Sequence, residues 1–317
     1  MFRISNLKIR LREIDDPKDE LPVLKQKLLA KLRIPERDLK HFRITKKSVD
    51  ARKKDDICLV YSVDADVRNE SGILRKADTN VSPAPDMEYK MVSPGSEKLP
   101  ERPVIVGMGP AGLFAGLMLS RYGYRPILVD RGEDVDSRVR KINRFWNEGV
   151  LDTESNVQFG EGGAGTFSDG KLTTLINDVR CAVVLEEFVK AGAPKEILYL
   201  NKPHIGTDLL RSVVKNIRRE IMACGGEGRF STKVTDIMVN DGNIHAVRLN
   251  DSETLRCSVL LLAPGHSARD TFEMLKKHGV NIIPKPFSIG VRIEHPQKLI
   301  NFAQYGDAAG HPVLGAA

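Results

Sequence analysis

Three glycines at the spacing Gly107-x-Gly109-x-x-Gly112 stand between a short apolar run, Val104 to Val106, and a longer apolar stretch rich in helix formers. In that setting each glycine has its own physical task. Gly107 permits a tight turn out of a strand. Gly109 has no Cβ, so an anionic group can approach the backbone beside Pro110 and Ala111. Gly112 lets the following helix pack closely on the strand. The start of that helix offers N–H groups without intrahelical partners and a partial positive charge. Asp130 closes the next apolar run 18 residues after Gly112, close to the roughly 20 residues at which an acidic side chain takes a ribose hydroxyl. These residues suit the pyrophosphate and ribose of a dinucleotide; the alternative is a set of glycines kept for packing alone.

A second glycine-rich stretch, Gly160 to Gly170, places Gly160, Gly162, Gly163 and Gly165 around Ala164 and Ser168. Such a loop can bring backbone N–H groups to a phosphate or a ring edge without side-chain obstruction. Gly170-Lys171 does not form a P-loop, because the spacing and the residue after the lysine are both wrong. No side chain stands out as catalytic. His204, His266 and Lys171 lie in glycine- or proline-rich segments and are the candidates, each with a structural role as its alternative. Ser168-Asp169 with a distant histidine lacks the nucleophile elbow of a hydrolase.

The elements that must position these residues follow from periodicity. Residues 104–130 read as one right-handed βαβ unit, the helix stopped by Gly123. Thr207 to Ala223 reads as an amphipathic helix capped by Thr207 or Asp208. Alternation around Asp241-Gly242 marks a hairpin, and Val259 to Ala263 reads as a buried strand. Before all of this, residues 1–67 read β-α-β-β, the first strand (Phe2, Ile4, Leu7, Ile9 and Leu11) with a local irregularity. Residues 68–102 lose any apolar period and carry Pro83, Pro85, Pro94 and Pro100, so they read as a linker or extended arm. The expected organisation is a small basic α+β domain at 1–67, that linker, a Rossmann-like α/β domain with a β-meander at 103–285, and the start of a further substrate domain at 286–317. Its first strand is expected at Ser288 to Glu294.

The chain has 317 residues, 41% hydrophobic and 29% charged, an ordinary globular composition. No basic-then-apolar leader and no apolar run of roughly 18 residues is present, so a cytoplasmic protein without a membrane partner is expected. Four scattered cysteines form neither a disulfide framework nor a metal site, and no metal is expected. The net charge is +7, and residues 1–67 hold 17 Lys/Arg against 12 Asp/Glu. The charges are mixed in sign and aromatic side chains are few, which argues against nucleic acid.

Gly107-Met-Gly-Pro-Ala-Gly112 with Asp130-Arg131-Gly132 resembles the glutathione-reductase-like flavoproteins. The run from Asn156 to Leu172, with Lys285 to Pro296, resembles a bacterial family of FAD-dependent dehydrogenases that also carries a small N-terminal domain. The resemblance implies that FAD lies along Gly107–Gly112, Asp130 and Arg131. It further implies that the loop Gly160 to Ser168 passes the pyrophosphate and the isoalloxazine, and that Val234 lies beside the adenine and Gly265 beside the cofactor. The implied activity is hydride transfer between a small-molecule substrate, which the sequence does not name, and flavin. NAD(P)H stays open as electron donor. A flavoprotein that modifies tRNA and a non-catalytic FAD- or NAD-binding module are the alternatives. The late segment that returns to the flavin in such proteins is not found, so a truncated chain with weak FAD binding is expected.

Overall fold

The computed structural model describes residues 1–68, 79–167, 170–174, 176–287, 289–291 and 293–317. A four-stranded sheet forms first, from β1 (Phe2–Arg10), β2 (Leu39–Asp50), β3 (Cys58–Val67) and β4 (Val81–Pro83), in the order β2-β3-β1-β4. All of its pairings are antiparallel. The irregularity expected in β1 is a register shift between Ile4 and Leu7, with Asn6 at φ 58°; asparagine tolerates that left-handed conformation better than most residues. The linker expected at 68–102 is not wholly unstructured, because Val81–Pro83 pairs with the edge of β1. Proline is tolerated on such an edge strand.

Helix α1 (Glu20–Leu32) buries Leu24, Leu28 and Leu32, one face at helical spacing, against this sheet. It ends at Arg33 in the left-handed conformation, two residues before Pro35. Much of the sheet's basic charge is already paired. Asp64, fully buried, takes both Arg3 and Arg43, and Lys47 meets Glu20 at 2.6 Å.

The second sheet is parallel, built from β5 (Val104–Val106), β6 (Ile127–Val129), β7 (Glu227–Arg229) and β11 (Leu260–Leu262), in the order β11-β5-β6-β7. Its strands alternate between two cores, as a pleated strand must. Ile105 and Leu128 face α2 (Pro110–Arg121) and α5 (Thr207–Ala223), which contribute Leu113, Leu117, Val213, Ile217 and Ile221. Val104, Val106, Ile127 and Val129 face the other way. There they meet an antiparallel meander, β8 (Val234–Asn240), β9 (Asn243–Leu249) and β10 (Glu253–Arg256), together with α6 (Arg269–Lys277). Between β6 and α5 the chain also forms α3 (Val135–Glu148) and α4 (Arg180–Lys190).

Helix α5 has the predicted span, but neither Thr207 nor Asp208 caps it. Gly206 holds the N-cap position with no side-chain cap, because Thr207 is already helical and Asp208 pairs with Arg211 one turn on. The strand expected to be buried at 259–263 lies at the sheet's edge, and Leu262 is 41% exposed; its apolar run reads the same in either place. The β8–β9 turn has Asp241 and Gly242 both at positive φ, the type I′ geometry that matches strand twist.

The described residues between α6 and α7 (Gln297–Tyr305) form no strand, and Phe287, Ile289, Val291 and Ile293 are all exposed. Ser288, where that strand was expected to start, lies outside the described residues. Beyond it the chain returns to the first sheet, where Tyr305 and Leu314 enter the same core as Ile4, Leu28 and Tyr61. Tyr305→Ala is therefore expected to cost about 3 kcal/mol, the usual scale for deleting a buried aromatic ring, read as a lower urea midpoint at unchanged slope. An unchanged midpoint would mean that 297–317 does not dock there. Among the described residues no helix is long and apolar enough to cross a membrane.

Candidate dinucleotide site

Strand β5 ends at Val106, and Gly107 turns the chain at φ 98°. A Cβ on Gly107 would lie 2.2 Å from the Ala263 carbonyl oxygen, just past β11. Helix α2 then starts with Gly109 as N-cap and Pro110 in its first turn. Proline is suited to that place because its missing N–H would have had no intrahelical partner. A Cβ on Gly112 would stand 1.8 Å from the Gly107 carbonyl oxygen, so this glycine sets how closely helix and turn approach. Gly109 differs from both: the nearest atom to its added Cβ is Gly163 Cα at 3.8 Å. The backbone there has room beside it for a methyl group, bounded by that loop glycine.

That space is a cavity of about 260 Å³ at the carboxyl ends of β5, β6 and β11. Open α/β sheets place ligands there, where the strand order reverses. The cavity gathers residues far apart in sequence. Gly107, Gly109, Pro110 and Ala111 form one wall, and Asp130 and Arg131 a second. Gly160, Gly163 and Ala164 come from the glycine-rich loop, and Val234 and Gly265 from the far side. Gly162 and Gly165 line instead a smaller apolar recess of about 140 Å³ between α2 and α5, with Lys171. Ser168 lies outside the described residues. Of the three catalytic candidates, His266 lines the main cavity. Lys171 and His204 are brought together by an isolated antiparallel bridge.

Asp130 has an arrangement that the spacing does not suggest. Its carboxylate accepts the Met108 N–H at 2.6 Å and the Gly132 N–H at 2.8 Å, and the Gly160 amide also bonds to it. One side chain thus ties the glycine turn, the end of β6 and the glycine-rich loop together. Burial raises the Asp130 pKa overall, against the pull of the amides and of the Arg138 charge.

Phe159 and Lys233 line the cavity too, and sequence reasoning missed both. Arg131, expected from the sequence, stacks on Phe159, its guanidinium carbon 4.5 Å from the ring centroid, and ion-pairs with Asp270 of α6 at 2.8 Å. Lys233 meets the same Asp270 at 2.7 Å and Glu154 at 3.2 Å. Burial disfavours the charge on Asp270, but hydrogen bonds from Arg131 and Lys233 outweigh it and hold the carboxyl well below the usual carboxylate range. A carboxyl whose pKa is depressed on folding stabilises the fold above its ordinary value of 3.8, and that stability is lost as pH falls through the folded value. Asp270→Asn is therefore expected to lower stability at pH 7 by about 1 kcal/mol, a figure kept small by solvent screening. The difference should shrink below about pH 4, as thermal melts across a pH series would show; a difference independent of pH would contradict the pairing.

Behind the loop sits Arg138 of α3, fully buried. It falls in line with Val135 and Ile142 on the buried face of its helix, and a cation in that stripe was the one sequence signal that could have revealed it.

Two stretches of the chain match known families. Residues 286–317 match a family model described as FAD-dependent protein, C-terminal domain-like. Residues 1–66 match a domain of unknown function, DUF8436. An uncharacterized protein of Clostridium beijerinckii is 49% identical over 317 residues, which is all of this chain and 58% of that relative. The chain thus spans somewhat over half the length of the curated relative it matches. Among solved structures, Thermovibrio ammonificans THI4 is 17% identical with a TM-score of 0.37, covering 57% of this chain and 64% of that one. Glycine oxidase from Bacillus cereus is 13% identical with a TM-score of 0.35, covering 56% and 58%. Both likenesses are partial, and the strand order of the chain itself carries the fold assignment: mixed α/β with a parallel sheet.

Proposed function

We propose that this chain binds FAD in the cavity at the start of α2 and forms the nucleotide-binding part of an FAD-dependent oxidoreductase. The observation that carries the reading is the contrast among the three glycines. Two of them have backbone oxygen where a Cβ would go, whereas on Gly109, which lines the cavity, an added Cβ would meet nothing nearer than Gly163 Cα at 3.8 Å. Room at that position, directly before a helix N-terminus, is what a pyrophosphate needs. Beside it, Arg131 and Phe159 supply a cation and an aromatic face to the adenosine half, and Val234 an apolar contact.

FAD is favoured over NAD by the glycine-rich loop packed against Gly109 and by the family described as FAD-dependent that matches residues 286–317. Bound FAD supplies hydride chemistry of its own. The residues of this chain bind and orient the dinucleotide and cover its adenosine end. The cavity's 260 Å³ lies below the roughly 300–1,000 Å³ of whole-ligand pockets, so it suits one part of a dinucleotide, the rest running along the open face. The substrate is expected to be a small molecule, with NAD(P)H open as electron donor.

Displacement tests the reading. FAD binding, followed by flavin fluorescence, should be competed by ADP, which shares the adenosine and pyrophosphate, and not by FMN, which lacks both. Competition by FMN alone would place the flavin elsewhere and defeat the proposal.

A further inference from the structure

The cavity wall whose Gly163 packs against Gly109 has no regular secondary structure between the end of α3 at Glu148 and the 3-10 turn at Ala164–Phe167. What shapes it is Arg138. Its guanidinium donates to the carbonyl oxygens of Asn156 at 2.8 Å, Val157 at 3.1 Å and Gly163 at 3.2 Å, and to that of Glu161. All three nitrogens take part. The Phe167 ring stacks on the guanidinium at 4.7 Å. Gly160 rides on the arginine stem, and a Cβ there would stand 2.3 Å from Arg138 Cδ.

The loop therefore wraps around a buried cation with four carbonyl oxygens turned inward, while Phe159, Gly160, Gly163 and Ala164 line the cavity on its other side. Carbonyl oxygens carry partial negative charge and would repel a pyrophosphate if they faced it. Burial lowers the Arg138 pKa to about 10 against the pull of Asp130 and Glu161, so the side chain stays charged at neutral pH.

We infer that Arg138 is a positioning residue for the phosphates of the bound dinucleotide: without touching the ligand, it turns the carbonyls of Asn156, Val157, Glu161 and Gly163 away from the anion. The inference rests on the dinucleotide reading above and adds a residue to it. A positioning role makes a prediction that plain stabilisation does not, because the loss should follow the ligand's phosphate charge.

Titration of wild type, Arg138→Lys and Arg138→Met with FAD, ADP and adenosine tests it. Lysine keeps the charge but cannot reach four carbonyls in fork geometry. Affinity for FAD and ADP should fall at least tenfold in both variants, with adenosine binding within twofold of wild type. An equal loss for all three ligands, or no loss, overturns the inference. A wild type that binds neither FAD nor ADP would instead sink the functional reading itself. Should neither variant fold, hydrogen exchange in the ligand-free wild type decides. Glu161, Gly162 and Gly163 have amides bonded inside the protein and should be protected before any ligand is added; exchange at unstructured-chain rates overturns the preformed loop.

Discussion

Gly112→Ala is expected to destabilise the protein by ~3 kcal/mol, while Gly109→Ala leaves the fold nearly intact and weakens dinucleotide binding at least tenfold. The first effect follows from a Cβ placed 1.8 Å from the Gly107 carbonyl oxygen, an overlap with backbone that no side-chain rotation relieves. Alanine's better helix propensity returns only ~1 kcal/mol, against the several that such overpacking can cost. Gly109 has φ −70°, ordinary for any residue, and room for a methyl group at 3.8 Å. Its cost to the fold is the loss of a favourable N-cap residue, about 1 kcal/mol or less. The added methyl would instead occupy the space assigned to the phosphates. Urea denaturation and FAD titration of the two variants separate these outcomes. Equal binding by wild type and Gly109→Ala would remove the main support for a ligand at this turn.

Asp130→Asn is the second large effect expected, and it should fall on stability before binding. The wild-type carboxylate presents two acceptor oxygens to N–H donors of Met108 and Gly132, with the Gly160 amide also on it. Asparagine keeps one oxygen and replaces the other with an NH2 group, which points a donor at a donor. At 6% exposure water cannot easily repair the loss, and each unsatisfied buried donor costs ~1–3 kcal/mol. A total of about 2–5 kcal/mol is expected, read as a lower urea midpoint. Asp130→Asn with wild-type stability and selectively weaker FAD binding would show instead that the carboxylate serves the ribose more than the backbone.

Asp130 also shows where reading the chain as a string reaches its limit. Its place after β6 follows from the apolar run and the glycine spacing, both local signals. That its oxygens would be taken up by amides from three separate segments depends on how those segments meet. The βαβ unit, the span of α5 and the turn at Asp241-Gly242 were legible for the same reason: each is specified by periodicity or turn chemistry within about 20 residues. Val259 to Ala263 reads as a strand, but nothing local says that β11 lies at an edge. Pro83 suggests a linker, although its neighbours Val81 and Ser82 pair with β1. Tyr305 and Leu314 look like ordinary apolar residues near the C-terminus, yet they complete a core begun at Phe2. Such pairings join residues some 300 positions apart, and no periodic signal spans that distance. Arg138 is the intermediate case, since its place in the apolar stripe of α3 was visible but its four carbonyl partners were not.

The visible absorption spectrum of the purified chain, before and after adding FAD and with Gly109→Val as control, tests the central claim most directly. Flavin bands at about 450 nm are expected to copurify with the protein or to saturate on titration, and to be lost in a folded Gly109→Val variant, whose branched side chain fills the space beside the backbone that a pyrophosphate needs. Saturable FAD binding that survives Gly109→Val, or a folded wild type that takes up no FAD at all, would contradict it.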